Sequence, residues 1–412
     1  MKSTLYKKAT NINKSPGLWG NRNFLLLWGG SIISGFGLQI YTIAIPLLIY
    51  DMTQSALAMS MMRAVDFLPN IFIGIIAGVL VDRFNRKRMM QWMSITQIIS
   101  LTFIVFLLYV HTLELWHLYL FGFILSSAGY TFGNAQHSVI PQIVTKEQLT
   151  DANAKIQFIN TLISMVGPGL AGTLLLYMDY SSTLFIFLIC LFLLFLCVQF
   201  LKFPTATLPR EAQGTFKEDI KEGINVLFAN KYLLTPTIVV IFINFASSLV
   251  IGVLIFYVTD QLGATSDEIG WMFTISAIGG LCGASVAKYL RNYFGRGQIY
   301  TYSLLINTLG MVILIFANTW WMIGISLAIR TFATITLNIV YFTVRQEFTP
   351  NHLLGRVAGT SSMLMKLALP AGLIISGLWA EWFSIKFLFI FSTVILFFLF
   401  IILLRHPFRK LQ

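Results

Sequence analysis

Apolar residues run along this chain in long unbroken blocks, not in alternation and not on one helical stripe. Blocks fall at 23–50, 56–80, 90–110, 116–136, 157–177, 182–203, 232–257, 268–288, 298–317, 320–342, 357–379 and 385–404. Each is long enough to cross a bilayer as a helix, whereas barrel strands would be about ten residues long and alternate in polarity. The pattern predicts an all-α membrane protein with twelve transmembrane helices. The longest polar interruption, 204–231, contains Ile220, Ile224 and Leu227 at three- and four-residue spacing beside Lys217, Lys221 and Glu222. That spacing predicts an amphipathic helix along the membrane surface. It divides the chain into six helices at 1–203, a linker at 204–231, and six helices at 232–412.

Composition agrees. Of 412 residues 57% are hydrophobic and 11% are charged, and the mean hydropathy is +0.78. Soluble domains carry about 25% charged residues, so this chain cannot coat itself for water. The net charge of +12 would suit a nucleic-acid partner were the bases spread over one surface, but they are sorted by loop. With the N-terminus on the cytoplasmic side, 24 of 28 basic residues fall in inner segments. The outer segments hold Lys386 alone, with Asp51, Glu114, Asp179, Asp260, Asp267, Glu268 and Glu381. This bias predicts cytoplasmic N- and C-termini. It leaves no need for nucleic acid and suggests contact with anionic lipid headgroups. The first 22 residues are polar and basic, without the apolar core of a cleaved signal. Cys190, Cys197 and Cys282 sit in apolar runs, without metal-site or disulfide spacing. No phosphate-binding G-x-x-x-x-G-K-[ST] loop is present, so ATP is not expected as the energy source; no cofactor and no enzymatic activity are expected either.

The halves echo each other at an offset near 205 residues. Gly78-Val79-Leu80-Val81-Asp82-Arg83 falls on Gly283-Ala284-Ser285-Val286-Ala287-Lys288, and Pro168 and Gly172 have counterparts near Pro370 and Gly372. Repeats of this kind suit two pseudo-symmetric bundles rocking about a midplane site.

The loop Gly78 to Arg88, reading GVLVDRFNRKR, resembles the signature loop between the second and third helices of the major facilitator superfamily. Further stretches resemble the branch with macrolide-efflux proteins and enterobactin-type siderophore exporters. They are RNFLLLW from Arg22, TQSALA from Thr53, HSVIPQIVTKEQLTDAN from His137, VGPGLAG from Val166, KEGINVLF from Lys221 and RQEFTPNHLLGRV from Arg345. The resemblance spans about 20 to 400. It implies a monomeric secondary transporter in a bacterial plasma or inner membrane, exporting amphiphilic small molecules (macrolide-like drugs or siderophore-like metabolites) in exchange for protons. Uptake of a small anionic metabolite, and a membrane interaction or lipid-handling role without gradient-driven transport, are the competing readings.

Candidate residues follow from both lines. In the signature loop, Gly78 permits close helix approach, Asp82 can cap a helix or pair across the halves as a conformational gate, and Arg83, Arg86, Lys87 and Arg88 anchor topology. Ala287 stands at the Asp82 position of the second half, so the gate is asymmetric. Gly167, Pro168, Gly169 and Gly172 resemble the fifth-helix motif of proton-linked exporters, expected to shape the closed outer face. Arg63, Asp66, Arg330 and Lys366 are ionisable groups inside spans, where charge is costly and therefore informative. Arg63 and Asp66 are three apart and share a helix face. Apolar surroundings and Arg63 act on Asp66 in opposite directions, as proton coupling requires; a static Arg63–Asp66 ion pair is the competing reading. The fourth helix lacks the arginine, and the first the acid, that many relatives carry. That shifts the expected proton site onto Asp66. The resemblance places the cavity between the first, fourth, seventh and tenth helices. This favours Gln39, Tyr130, Asn134, Asn244 and Asn338, with Phe36 and Phe132 in its wall, and Arg330 and Lys366 as cavity bases.

Overall fold

A computed structural model describes residues 17–83, 85–145, 148–202, 216–350 and 353–411, excepting the side chains of 72–83, 150, 216–220 and 288. The described chain is helical throughout. The helices are α1 (Arg22–Thr53), α2 (Ala56–Arg83), α3 (Arg86–Tyr109), α4 (Leu115–Ile143), α5 (Leu149–Tyr177), α6 (Tyr180–Gln199), α7 (Phe216–Ala229), α8 (Lys231–Phe256), α9 (Ser266–Leu290), α10 (Arg296–Phe316), α11 (Trp320–Phe348), α12 (Leu354–Trp382) and α13 (Ile385–Arg405). Among the described residues ten helices are long and apolar enough to cross a bilayer. α2 and α4 match them in length at 28 and 29 residues. The molecule is a multi-pass membrane protein.

Several helices outrun their apolar blocks. α4 continues to Ile143, α5 begins at Leu149, α11 ends at Phe348 and α12 starts at Leu354. Hydropathy registers the part of a helix that lies in lipid, while the backbone hydrogen bonding continues past it.

The end bearing the α1 N-terminus is called the near face, and the end bearing the α1–α2 turn the far face. Helix starts are capped differently at the two ends. Three near-face starts, those of α1, α3 and α8, use asparagine: Asn21 accepts from the N–H groups of Asn23 and Phe24, Asn85 from Arg88, and Asn230 from Tyr232. Three far-face starts, those of α6, α9 and α2, use acids. Asp179 accepts from the Ser182 N–H, Glu268 from the Thr265 N–H, and Glu381 of α12 from the Leu57 N–H at the start of α2. A carboxylate suits the positive end of a helix dipole. The far-face acids therefore have local structural work in addition to any part in topology.

α1 packs on α5 and α6, and α3 on α4 and α6; in the second half α8 packs on α12 and α13, and α10 on α11 and α13. The two most extensive pairings between the halves are α5 with α9 and α2 with α12, and α2 also touches α8. Both main pairings come very close at the far face. A side chain on Gly172 would meet the carbonyl oxygen of Ser266, and one on Gly377 would meet Ser60 Oγ and lie 3.0 Å from Leu57 Cα. Only glycine permits that approach. Polar contacts add to the seam. Tyr50 Oη donates to Asp260 Oδ1 at 3.1 Å, Ser55 Oγ to Glu381 Oε1 at 2.7 Å, and Ser266 Oγ to the Gly172 carbonyl at 3.1 Å. The far face is thereby closed.

The linker helix α7 packs against α12 and α8. Leu227 is buried with Leu233 and Val357, Gly223 lies against the Arg356 carbonyl, and Glu222 pairs with Arg356. Ile224 is half-buried, and the Ile220 side chain lies outside the described residues. The amphipathic face of α7 is thus turned onto protein as well as lying at the surface.

Candidate functional site

The candidate site is a cavity of about 510 Å³ in the first half, lined by α1 to α6. It runs from Tyr41 and Asp66, near the middle of the helices, to His137, Ile140 and Ile156 toward the near face. A volume of this size suits a drug-sized ligand.

Three helices present one face each to it. α1 contributes Ser31, Ser34, Gly35, Leu38, Tyr41 and Thr42; α4 contributes Ser126, Gly129, Tyr130, Gly133, Gln136 and His137; α2 contributes Arg63, Asp66, Phe67 and Asn70. The spacing in each set is the three- and four-residue repeat of a helix face. These faces set small and polar residues beside Leu38, Leu125 and Ile140, so the hollow is amphiphilic, with polar groups in a largely apolar wall. Gln97, Asn160 and Phe187 complete the polar and aromatic lining.

Asp66 sits at the inner end. Its Oδ1 accepts a hydrogen bond from Tyr41 Oη at 3.1 Å, and the Tyr41 ring is buried. Arg63 does not join it. Among the described residues no Arg63–Asp66 ion pair forms within 4.0 Å. Arg63 Nη2 instead donates to the Thr42 carbonyl at 3.0 Å. That carbonyl is special because residue 46, four positions on, is proline. Pro46 has no N–H to offer, so Arg63 supplies the missing donor. The static ion pair suggested by the three-residue spacing is replaced by two parallel bonds from α2 to successive residues of α1.

The other expected residues are distributed as follows. Tyr130 and Phe132 line the cavity with Arg63 and Asp66. Lys366 of α12 is not in the lining, but its Nζ lies 5.7 Å from the centre of the Tyr130 ring, a cation–π distance. Gln39 packs on Gly167 of α5. Asn134 donates to the Tyr130 carbonyl of its own helix, and Asn244 to the Met365 carbonyl of α12 at 2.9 Å. Phe36 is partly buried against the core, and Asn338 is half-buried on α11. None of these last five is in the lining. Arg330 is also elsewhere: it is 6% exposed, packed on Gly310 of α10, with Nη2 3.4 Å from Ser247 Oγ of α8 and, among the described residues, no partner for Nε or Nη1.

In the signature loop, Gly78 and the side chains of Asp82 and Arg83 lie outside the described residues. Arg86 Nη1 donates to the Ser138 carbonyl at 3.0 Å, and Lys87 Nζ to the carbonyls of Gln199 and Leu201 at 2.9 and 2.7 Å. Lys87 thus satisfies carbonyls left open at the C-terminus of α6. Arg88 is exposed. The fifth-helix residues face two neighbours. Gly167 meets Gln39 of α1, Gly169 meets Trp271 and Thr274 of α9, Gly172 meets the α9 backbone, and the Pro168 carbonyl lies against Gly270. Among the described residues no group of three or more His, Cys, Asp or Glu is placed to hold a metal ion.

Thr42, Asn70 and Gln136 are lining residues that sequence reasoning did not name. The signal for Thr42 and Gln136 was a stripe of small and polar residues at 31, 34, 35, 41 and 42, with a similar one on α4 from 126 to 137.

Comparison with known proteins gives one family. Residues 18–412 match the family described as transmembrane secretion effector. Macrolide efflux protein A of Streptococcus pyogenes is 24% identical over 376 residues, covering 90% of this chain and 93% of that protein. The multidrug efflux pump Tap of Mycolicibacterium fortuitum is 25% identical over 377 residues, covering 89% and 90%. Among solved structures, a variant of the nucleoside transporter NupG superposes with a TM-score of 0.79 at 12% identity, covering 93% of this chain and 99% of that one. A bacterial homologue of the iron transporter ferroportin in an inward-facing state superposes with a TM-score of 0.72 at 16% identity, covering 93% and 98%. The structural likenesses speak for the fold, and the match across nearly the whole chain fixes the family: the chain belongs to the transmembrane secretion effectors of the major facilitator superfamily of transporters.

Proposed function

We propose that this protein is a secondary active exporter of amphiphilic small molecules, driven by protons across a bacterial plasma membrane. The carrying observation is Asp66 at the closed end of the first-half cavity, hydrogen-bonded to Tyr41 and, among the described residues, without an ion-pair partner. A carboxylate lining the hollow can take a proton or a cation, whereas a permanent ion pair would hold it charged. The near face is the cytoplasmic one in this reading, because the basic loops collect there. With the far face closed, cargo enters the cavity from the cytoplasm or inner leaflet. The halves 1–203 and 232–412 then rock to open the far face, pivoting on α2–α12 and α5–α9. Phe67, Phe132 and Phe187 offer apolar surface to the cargo, and Gln97, Asn70 and Gln136 offer hydrogen bonds. Asp82 and the bases after it hold the near face when it closes. Macrolide-like drugs rank first as cargo and siderophore-like metabolites second, in line with the efflux relatives.

Cells expressing the protein, loaded with erythromycin or a fluorescent amphiphile and energised, test this. Efflux faster than in control cells, abolished by a protonophore and by Asp66→Asn at equal membrane expression, is expected. Efflux indifferent to both treatments refutes proton coupling through Asp66. Lys366 beside Tyr130 favours one second reading, uptake of a small anionic metabolite. Accumulation of such a metabolite inside energised cells, with no efflux of amphiphiles, would select it.

A further inference from the structure

α1 is one continuous helix with Pro46 inside it. A proline here leaves the Thr42 carbonyl without its helical donor, and prolines inside helices are where bends form. The donor that replaces it comes from another helix and carries a charge: Arg63 Nη2, at 3.0 Å. One turn further along α2 is Asp66, which accepts from Tyr41. Two neighbouring residues of α1 are therefore held by two residues of α2, and all four line the same cavity. Arg63 and Asp66 share a face of α2, so a change of Arg63 rotamer brings the guanidinium to the carboxylate without moving the backbone.

We propose that Arg63 is a shared clasp. With Asp66 neutral it staples the α1 bend by binding the Thr42 carbonyl. When Asp66 loses its proton, Arg63 moves to the carboxylate and the bend is released. The inference rests on the reading of Asp66 as the proton site and adds the residue that conveys its state. The direction follows from charge, since an ionised carboxylate attracts the guanidinium by a full Coulomb interaction that a neutral carbonyl does not offer. The vacated Thr42 carbonyl is left facing the cavity, where water can bond to it. Past Pro46, α1 carries Tyr50 and Asp51, which bond to Asp260 and Tyr180 at the far face. Release at Pro46 therefore reaches the segment that takes part in closing the far side. Other ionisable groups among the described residues of the lining are Tyr130 and His137 of α4, and Lys366 of α12 stands over Tyr130. Asp66 is the acid among them, and Arg63 lies one turn from it on the same face.

Amide hydrogen exchange over residues 43–50 tests the clasp in the full chain in lipid nanodiscs, at pH 5.5 and 8.5, corrected for intrinsic exchange. Wild type should lose about threefold to tenfold protection at the higher pH, in line with hydrogen bonds in membrane helices. Asp66→Asn should stay protected at both. Arg63→Gln should be unprotected at both. Pro46→Ala restores a backbone donor to Thr42, so Pro46→Ala alone and Pro46→Ala combined with Arg63→Gln should be equally protected. A pH-independent wild type overturns the clasp. So does an Arg63→Gln loss of the same size in the Pro46→Ala background as in the native one. The proton-site reading fails separately, if Asp66→Asn retains protonophore-sensitive efflux, because exchange in α1 is measured without cargo.

Discussion

The closed far face depends on two glycines, and adding one methyl group to either should open it. At Gly172 a Cβ would meet the Ser266 carbonyl and lie 3.0 Å from Asp267 Cα; at Gly377 it would meet Ser60 Oγ and lie 3.0 Å from Leu57 Cα. The obstacles at Gly172 are backbone atoms, which cannot rotate away. Overpacking of this kind costs about 1 to 3 kcal/mol. The cost falls only on the state in which the helices touch, so it shifts the equilibrium toward far-face opening by about 5- to 150-fold. Pulsed electron spin resonance between labels at Gln54 and Phe383, both exposed, on a background with the native cysteines replaced, reads that population directly. Gly172→Ala and Gly377→Ala should each enlarge the long-distance fraction. Gly359→Ala, also on α12 but with nothing within 4 Å of the added carbon, should not. Unchanged distances in Gly172→Ala, or equal changes in Gly359→Ala, would refute the close-packing argument.

Other expectations follow from single contacts. Glu381→Ala removes the acceptor for Ser55 Oγ and the Leu57 N–H, and should raise the far-open fraction about threefold in the same measurement. Lys87→Ala leaves the Gln199 and Leu201 carbonyls without their donor; thermal denaturation in detergent should show a loss of about 1 kcal/mol. Asp179 caps α6, and hydrogen bonds from Ser182 hold its carboxyl below the ordinary carboxylate value. A depressed value means that the stabilisation is present above that ordinary value and is lost as pH falls through the folded one. Asp179→Ala should therefore cost about 1 kcal/mol at pH 7, and the difference from wild type should close below about pH 4.

Much of this was legible in the sequence, and what was not has physical reasons. The apolar blocks marked the helices, since a continuous run of that length has few alternatives. They did not mark the near-face extensions of α4, α5, α11 and α12, because a helix may continue in water with polar residues. The Arg63–Asp66 spacing correctly put both on one face, but spacing cannot tell which acceptor an arginine will choose. The choice was encoded at Pro46, on another helix, and only packing brought the two together. Arg330 was legible as an intramembrane charge but not as one facing α8 and α10 away from the cavity. Direction around a helix axis is fixed by neighbours, and an isolated base carries no periodicity. The stripes on α1 and α4 show the opposite case. Small and polar residues at helical spacing within apolar runs give the cavity away once both helices are read for their least apolar face.

The central claim is that cargo and a proton compete through Asp66 in one cavity. Proton release on cargo binding tests it most directly. Purified protein in weakly buffered detergent, with a pH-sensitive dye, is mixed with a cargo identified by efflux, at a pH where transport is coupled. Release of up to one proton per protein, absent in Asp66→Asn that still binds cargo, is the predicted result. Cargo binding with no proton release in the wild type, or equal release in Asp66→Asn, contradicts the account.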